Sequence, residues 1–345
     1  MKKGLALTLM AVAIAFAATA QEKKYEVYSV CFYNLENLFD TINNNGKYDL
    51  EFSPQGSRQW NGDKYRSKLK NIARAISNMS TETTPLGPAV IGIAEVENRS
   101  VLEDLVKQDD IRSWRLQIVH HDSPDRRGID VSLLYNPRLF RVLNVTNARL
   151  NIEDNPDFRT RDQMCVTGLM GGEKVSIIVN HWPSRLGGQE QSSYLREAAA
   201  ALVKHTVDSL LADDPNQGII VMGDLNDDPQ NRSVANVLGG KKNKDDVTED
   251  NGFYNPWWST LDSGIGTLAY KGSWNLFDQI LVSKYFLGDR SHLTFFKSDV
   301  LNWDFLKNTE GNYVGYPLRT YASGVFLNGY SDHFPTRILF VREKQ

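Results

Sequence analysis

The sequence predicts an α/β fold in which two mixed β-sheets pack face to face with helices on the outside. Short runs rich in Val, Ile, Tyr and Phe recur along most of the chain, bounded by Gly, Pro, Asn and Asp. Two stretches with apolar residues at helical spacing lie between some of them. Several of the strand-like runs follow one another with no helical pattern between, so a purely parallel sheet is excluded and the sheets must be mixed.

In chain order the runs are "YEVYSVCFY", "AVIGIA", "RLQIVH", "IDVSLLY", "LFRVLNVTNARL", "DQMCVTGLM", "KVSIIVNH", "GIIVMG", "FDQILVS" and "TRILFV". The first helix is expected in "DKYRSKLKNIARAISNM", with Leu69, Ile72, Ala73, Ile76 and Met79 on the buried face. The second is expected in "EQSSYLREAAAALVKHTVDSLLA", with Tyr194, Leu195, Ala198, Leu202 and Leu210 inward. "GGKKNKDDVTEDNG" has the composition of a charged surface loop. There is no internal repeat or low-complexity linker, so residues 25–342 are expected to form one domain.

The N-terminal "MKKGLALTLMAVAIAFAATA" has two lysines, an apolar run and Ala18-Thr19-Ala20 before "QEKK", the pattern of a secretory signal peptide over residues 1–20 cleaved after Ala20. The apolar run is shorter than the ~20 residues of a membrane span, so export to the periplasm or the extracellular space without stable membrane insertion is expected. Loss of Lys2 and Lys3 moves the formal charge from −3 to −5, so no global basic character attracts nucleic acid and any phosphate-binding surface must be local. Cys31 and Cys165, the two cysteines, both lie in strand-like runs and are expected as buried free thiols rather than a disulfide. A monomer is expected.

Position matters most for function. Asn34 and Glu36 follow the first run, Glu95 ends "AVIGIA", His181 ends "KVSIIVN", and Asp224 and Asn226 end "GIIVMG". Asp278 opens "FDQILVS", and Asp332 and His333 precede "TRILFV". In a mixed sheet the start of an antiparallel strand lies beside the end of its neighbour, so all of these groups can meet at one rim, where α/β sheets bind ligands. Carboxylates with an Asn oxygen make a hard site suited to Mg²⁺, Mn²⁺ or Ca²⁺. Two histidines within reach can orient or protonate a phosphate oxygen or hold a water.

In order, these motifs resemble the endonuclease/exonuclease/phosphatase superfamily: "FYNLEN", "IAEVEN", "RRGIDVSLLY", "NHWPSR", "GDLNDDP", "FDQIL" and "SDHFP". The resemblance implies a four-layered α/β sandwich and a divalent-metal phosphodiesterase, nuclease-like first among substrates. A lipid-headgroup (sphingomyelinase-like) or inositol/sugar-phosphate phosphoesterase is the alternative, and a non-catalytic binding protein on the same scaffold comes third. It implies Glu95 as a metal ligand with Asn34 and Asp332 close by, Asp224 on the attacking water and Asn226 on a phosphate oxygen. His333 oriented by Asp278 would stabilise the phosphorane or move a proton, and His181 would contact a non-bridging oxygen. There are departures. Glu36 stands where abasic-site enzymes carry Asp, and His181 where they carry Tyr. Glu97 stands where deoxyribonuclease carries a DNA-contacting Arg, and an acid there would repel a phosphate backbone.

Outside this set, Arg126, Arg127 and Arg185 are candidate phosphate contacts, and Trp274 is a candidate wall of the substrate site. Trp257 and Trp258 in "NPWW" are expected in core packing or a structural loop. "TINNNGKYDLE" carries Asn43, Asn45 and Gly46 at calcium-loop offsets but fails that pattern at Thr41 and Phe52, and is expected as a loop beside the site.

Overall fold

The computed structural model describes residues 24–43 and 49–344; the expected signal peptide over residues 1–20 and the centre of the "TINNNGKYDLE" segment, with Asn45 and Gly46, lie outside the described residues. In chain order its elements are β1 (Tyr25–Leu38), α1 (Gly62–Ser77), β2 (Val90–Val96), α2 (Arg99–Val106), β3 (Gln117–His120), β4 (Asp130–Tyr135), β5 (Phe140–Ala148), β6 (Gln163–Met170) and β7 (Glu173–His181). There follow α3 (Gln189–Asp213), β8 (Gly218–Asp224), β9 (Gly240–Lys241), β10 (Phe253–Tyr254), α4 (Trp257–Asp262), β11 (Leu268–Tyr270), β12 (Ser273–Asn275) and β13 (Asp278–Ser283). The chain closes with β14 (Thr294–Val300), β15 (Tyr321–Ala322), β16 (Val325–Phe326) and β17 (Thr336–Glu343).

One sheet runs β14-β17-β1-β2-β4-β3 and the other β5-β6-β7-β8-β13-β10-β9. Each mixes parallel and antiparallel pairs: β1 is parallel to β2 and antiparallel to β17, and β7 is parallel to β8, which is antiparallel to β13. The inward faces of both sheets, among them Val30, Phe32, Val166, Ile177, Met222 and Ile280, form one buried apolar layer. On the far side of the first sheet, Ile91 and Ile93 pack with Leu69, Ile72 and Ile76 of α1 and Leu102 of α2. On the far side of the second, Ile219 and Val221 pack with Ala199, Val203 and Val207 of α3. Strands buried on both faces read as unbroken apolar runs, which is why "AVIGIA" and "GIIVMG" show no alternation. The layers are therefore helix, sheet, sheet, helix, as expected.

All ten runs form strands, and α1 buries the expected face behind an Asn61 side chain that caps Asp63 and Lys64. The other expectations needed correction in three places. First, β1 does not stop before Asn34 but continues to Leu38, with its register to β2 broken between those residues. Second, α3 is rotated relative to the expected face: Ser192, Arg196, Ala199, Ala200, Val203 and Val207 are buried, whereas Tyr194 is exposed. Alanine on every side leaves the periodicity of α3 undecided, and a long-range ion pair, Arg196 Nε to Asp227 Oδ2 at 2.8 Å, selects the inward face. Third, β14 was not expected, because Lys297, Ser298 and Asp299 break its apolar pattern and it pairs only at the sheet edge, against β17. Cys31 and Cys165 are buried free thiols in separate sheets, and Trp257 is core.

Candidate active site

The rim is assembled where β1, β2, β7 and β8 end and β13 and β17 begin. Three backbone devices turn side chains out of the ladders there. A register break in β2 between Ala94 and Val96 leaves Glu95 as an extra residue against β4, with φ 63°, while against β2 it is β1 that carries the surplus residues between Asn34 and Leu38. Asn226 (φ 51°) and Glu36 (φ 49°) also hold left-handed backbone, costly for a non-glycine residue and typical of sites over-determined by their surroundings. Gly223, at φ 156°, lies so close to the Asn180 carbonyl that a β-carbon would collide with it, and this close approach sets Asp224 beside His181 across the parallel pair β7–β8.

The side chains form a contiguous chain of contacts. Asn34 Nδ2 donates to Asp224 Oδ2 at 3.0 Å, and the Asn226 backbone N–H donates to Asp224 Oδ1 at 3.0 Å. His181 Nε2 lies 3.6 Å from Asp224 Oδ2 and 3.9 Å from Glu95 Oε1. Asp278, opposite Asp224 in the β8–β13 register, holds His333 Nδ1 at 2.7 Å, and His333 Nε2 is 3.9 Å from both Asp224 Oδ2 and Asp332 Oδ1. The first and last strands thus meet: Ser331 Oγ donates to the Asn34 carbonyl at 2.7 Å and receives the His333 N–H at 3.1 Å. All eight predicted residues reach this rim. Glu95 and Asp332 stand at its two ends, joined through His181, Asp224 and His333 rather than in direct contact.

Burial and neighbouring charges fix the protonation states. Burial pushes Asp224 up to about 6, the positive His333 opposing this and Asp278 and Glu95 adding to it. Burial works against a charged His333, but Asp278 first, then Asp224 and Asp332, carry it well above the usual imidazole range. Burial and the cations Arg161 and Arg127 hold His181 well below that range. Near neutral pH the rim therefore carries an imidazolium at His333, a neutral imidazole at His181 and a mostly ionised Asp224.

Among the described residues no hydrogen bond reaches Glu95 Oε1 or Asp332 Oδ1; their partner oxygens are held by the Asn37 N–H (3.0 Å) and by Arg319 Nη2 (2.6 Å). Glu95 Oε1 and Asp332 Oδ1 are carboxylate oxygens of the kind a hard divalent cation takes, but among the described residues neither falls in a group of three His, Cys, Asp or Glu donors within 4.8 Å of one another. Asn34 is placed differently from a simple ligand, because its oxygen accepts the Glu36 N–H at 2.9 Å while its amide serves Asp224. Asp224, Asp278 and His333 also offer donor atoms within 4.8 Å of one another, but the 2.7 Å contact makes Asp278–His333 a hydrogen-bonded pair first.

Other expectations shift. Glu36 turns away from the rim to receive the Thr320 N–H (2.6 Å) and Arg319 (3.3 Å), with buried Lys68 at 3.8 Å. Glu97 is buried and receives the Asp40 N–H at 2.8 Å, so it does not face a substrate backbone as a repelling acid. Arg185 is occupied internally, on the Asn226 carbonyl (2.9 Å), Asp227 (3.1 Å) and Asp228 (3.2 Å), with Phe277 under its guanidinium. Asp227 and Asp228 are thus structural, and only Asp224 and Asn226 of the "GDLNDDP" cluster belong to the rim. Arg127 lies 3.6 Å from Glu95 and stays partly exposed, whereas Arg126 binds the Asp157 carbonyl at 2.7 Å. Trp274 stacks on Phe334, the residue after His333. Arg161 was missed by sequence reasoning. It is buried, pairs with Asp125 at 3.0 Å, and holds the carbonyls of His181 (3.1 Å) and Trp182 (2.6 Å); nothing in "RTRDQ" distinguishes it from a surface arginine.

The model of the Endonuclease/Exonuclease/phosphatase family matches residues 29–342. The chain belongs to that family. It is accordingly a divalent-metal-dependent hydrolase acting on phosphoester bonds. The fold is shared with solved structures at low identity. An endonuclease/exonuclease/phosphatase family protein from Bacteroides thetaiotaomicron is 15% identical, with a TM-score of 0.55 over 93% of this chain and 100% of that one. TDP2 of D. rerio, solved with a single-strand DNA product, is 16% identical, with a TM-score of 0.54 over 91% and 98%. The human Nocturnin catalytic domain, solved with a sulfate anion, is 14% identical, with a TM-score of 0.53 over 92% and 97%. No curated protein matches the chain. Among the described residues no helix is long and apolar enough to cross a membrane.

Proposed function

We propose that this is an exported, monomeric phosphodiesterase using Mg²⁺ or Mn²⁺ and cleaving a nucleic-acid-like phosphodiester in the periplasm or outside the cell. The observation that carries the reading is the Asp278–His333 pair at 2.7 Å, set 3.9 Å from an Asp224 carboxyl raised to about 6. A base with a pKa near the working pH and an imidazolium held ready to meet developing charge are what attack of water on a phosphodiester needs.

Glu95 would hold the cation, with Asn34 and Asp332 at the same rim, and Asn34 would fix the orientation of Asp224. A bound divalent cation supplies charge neutralisation at a phosphate oxygen and lowers the pKa of water. The chain's own groups do the rest. Asp224, oriented by Asn34 Nδ2 and the Asn226 N–H, positions the attacking water and accepts its proton. His333 presents Nε2–H to a phosphate oxygen while Asp278 holds Nδ1–H and its tautomer. Neutral His181 and the Asn226 amide, itself steadied on the Trp182 carbonyl at 3.0 Å, donate to the non-bridging oxygens. Partly exposed Arg127 and Arg319 flank the rim and suit the next phosphates of a chain. The bound DNA product of D. rerio TDP2, which shares the fold, supports the same substrate class. Export rests on the N-terminal leader pattern.

The test is a hydrolysis panel of single- and double-stranded DNA, RNA, sphingomyelin and inositol phosphates, each with Mg²⁺, Mn²⁺ or Ca²⁺. Turnover of DNA or RNA that falls steeply with added salt supports the proposal. Turnover confined to sphingomyelin or to inositol phosphates replaces it with the corresponding small-substrate reading. Fractionation of cells expressing the full chain tests export, which retention in the cytoplasm would refute.

A further inference from the structure

A second group of metal-type donors lies outside the rim. His120 ends β3 and Asp130 opens β4, and the loop between them carries Asp122. One atom from each of the three lies within 4.8 Å of the others. The three line a groove of ≈ 850 Å³, together with Asp40, Glu97 and Asp125. The His120 side chain is only 4% exposed; its Nε2 lies 3.2 Å from Asp130 Oδ2 and its Nδ1 3.8 Å from Asp122 Oδ1. Nε2 is nevertheless buried without a hydrogen-bond partner: the ring approaches Asp130 at hydrogen-bond distance but is not aligned with it. An orphaned buried imidazole nitrogen is uncommon and calls for a ligand. Asp130 is itself positioned from behind, its Oδ1 receiving the Ser123 N–H at 2.8 Å and the Ser123 hydroxyl, as outer partners fix a ligating carboxylate.

We propose that His120, Asp122 and Asp130 form a second divalent-metal site, distinct from the rim and selective for a borderline ion such as Zn²⁺. One imidazole with two carboxylates favours such an ion over Mg²⁺ or Ca²⁺, which prefer oxygen alone. The loop that this ion would pin also carries Asp125, the partner of Arg161, and Arg127, 3.6 Å from Glu95. Its role is therefore structural, fixing the segment that brings two cations to the edge of the rim. The inference does not depend on the substrate proposed above.

Metal-stripped full chain is titrated with Zn²⁺ alone by calorimetry, for wild type, Asp122→Asn, His120→Gln and Glu95→Gln. The Asp122 side chain is 86% exposed, so its replacement leaves folding intact, and circular dichroism checks the His120 variant. The expected result is a Zn²⁺ site that survives Glu95→Gln and weakens about tenfold or more in Asp122→Asn, since losing a direct ligand costs no less than losing an outer partner. In the Co²⁺-loaded protein, the visible spectrum should keep its imidazole-ligated component in Glu95→Gln and lose it in His120→Gln. A wild type whose Zn²⁺ binding disappears entirely with Glu95→Gln, or is unchanged in Asp122→Asn, overturns the proposal.

Discussion

Asp278→Asn is the sharpest probe of the rim, because it leaves the shape of the side chain and removes one charge. Asp278 is fully buried, its Oδ2 is 2.7 Å from His333 Nδ1, and it leads the charges that raise the His333 pKa. Unit charges with centres about 4 Å apart attract by about 4 kcal/mol at an effective dielectric near 20. Asp224 and Asp332 are then left to oppose burial without it, so the His333 pKa falls and the imidazolium is depleted. If that cation meets charge developing on the phosphate, about 4 kcal/mol corresponds to roughly a thousandfold in turnover. The assay is hydrolysis of bis(4-nitrophenyl) phosphate across pH 5–10 at saturating Mg²⁺, with thermal unfolding measured in parallel. The expected result is kcat down by about a thousandfold, and the alkaline limb of the pH profile displaced to lower pH, with the protein still folded. A folded Asp278→Asn enzyme within tenfold of wild-type kcat and with an unmoved alkaline limb refutes the reasoning.

Asp224→Asn should lower kcat by several orders of magnitude and remove the acid limb centred near pH 6, below which Asp224 is protonated and no longer a base; a pH profile of the residual activity checks this. Arg196→Met removes the 2.8 Å partner of buried Asp227, which keeps Arg185 at 3.1 Å and the Ser233 hydroxyl at 2.7 Å, and should destabilise by about 1.5–3 kcal/mol, read as a lower midpoint in urea unfolding. Burial pushes the thiols of Cys31 and Cys165 up to about 12 and about 11, so Ellman's reagent should find no reactive thiol in the native protein and both after denaturation.

Much of the fold was legible because long buried strands announce themselves as unbroken apolar runs, and most rim residues because they sit at or next to a strand end, Asn34 alone lying inside β1. What stayed hidden depends on contacts distant in sequence. The inward face of α3 is chosen by Arg196 meeting Asp227, and nothing in an alanine-rich helix signals that partner. The same distance effect conceals Arg161, and it misassigns Arg185, which looks like a phosphate contact until Asp227 and Asp228 are placed around it. Glu36 and Glu97 look alike in sequence, each two residues beyond a site residue. Backbone N–H groups from other segments, of Thr320 and of Asp40, turn both inward. The positive φ of Glu95 is likewise invisible in "IAEVEN", although it aims the carboxylate.

The proposed mechanism needs a divalent cation at the rim with Glu95 among its ligands, and chelation tests that directly. Hydrolysis of bis(4-nitrophenyl) phosphate is measured in excess EDTA and after Mg²⁺ or Mn²⁺ is restored, for wild type and Glu95→Gln. The wild type should lose activity with EDTA and regain it with either ion, while Glu95→Gln should need far more metal or stay inactive. Full turnover by the chelated wild type, or a Glu95→Gln enzyme with an unchanged metal requirement, would contradict it.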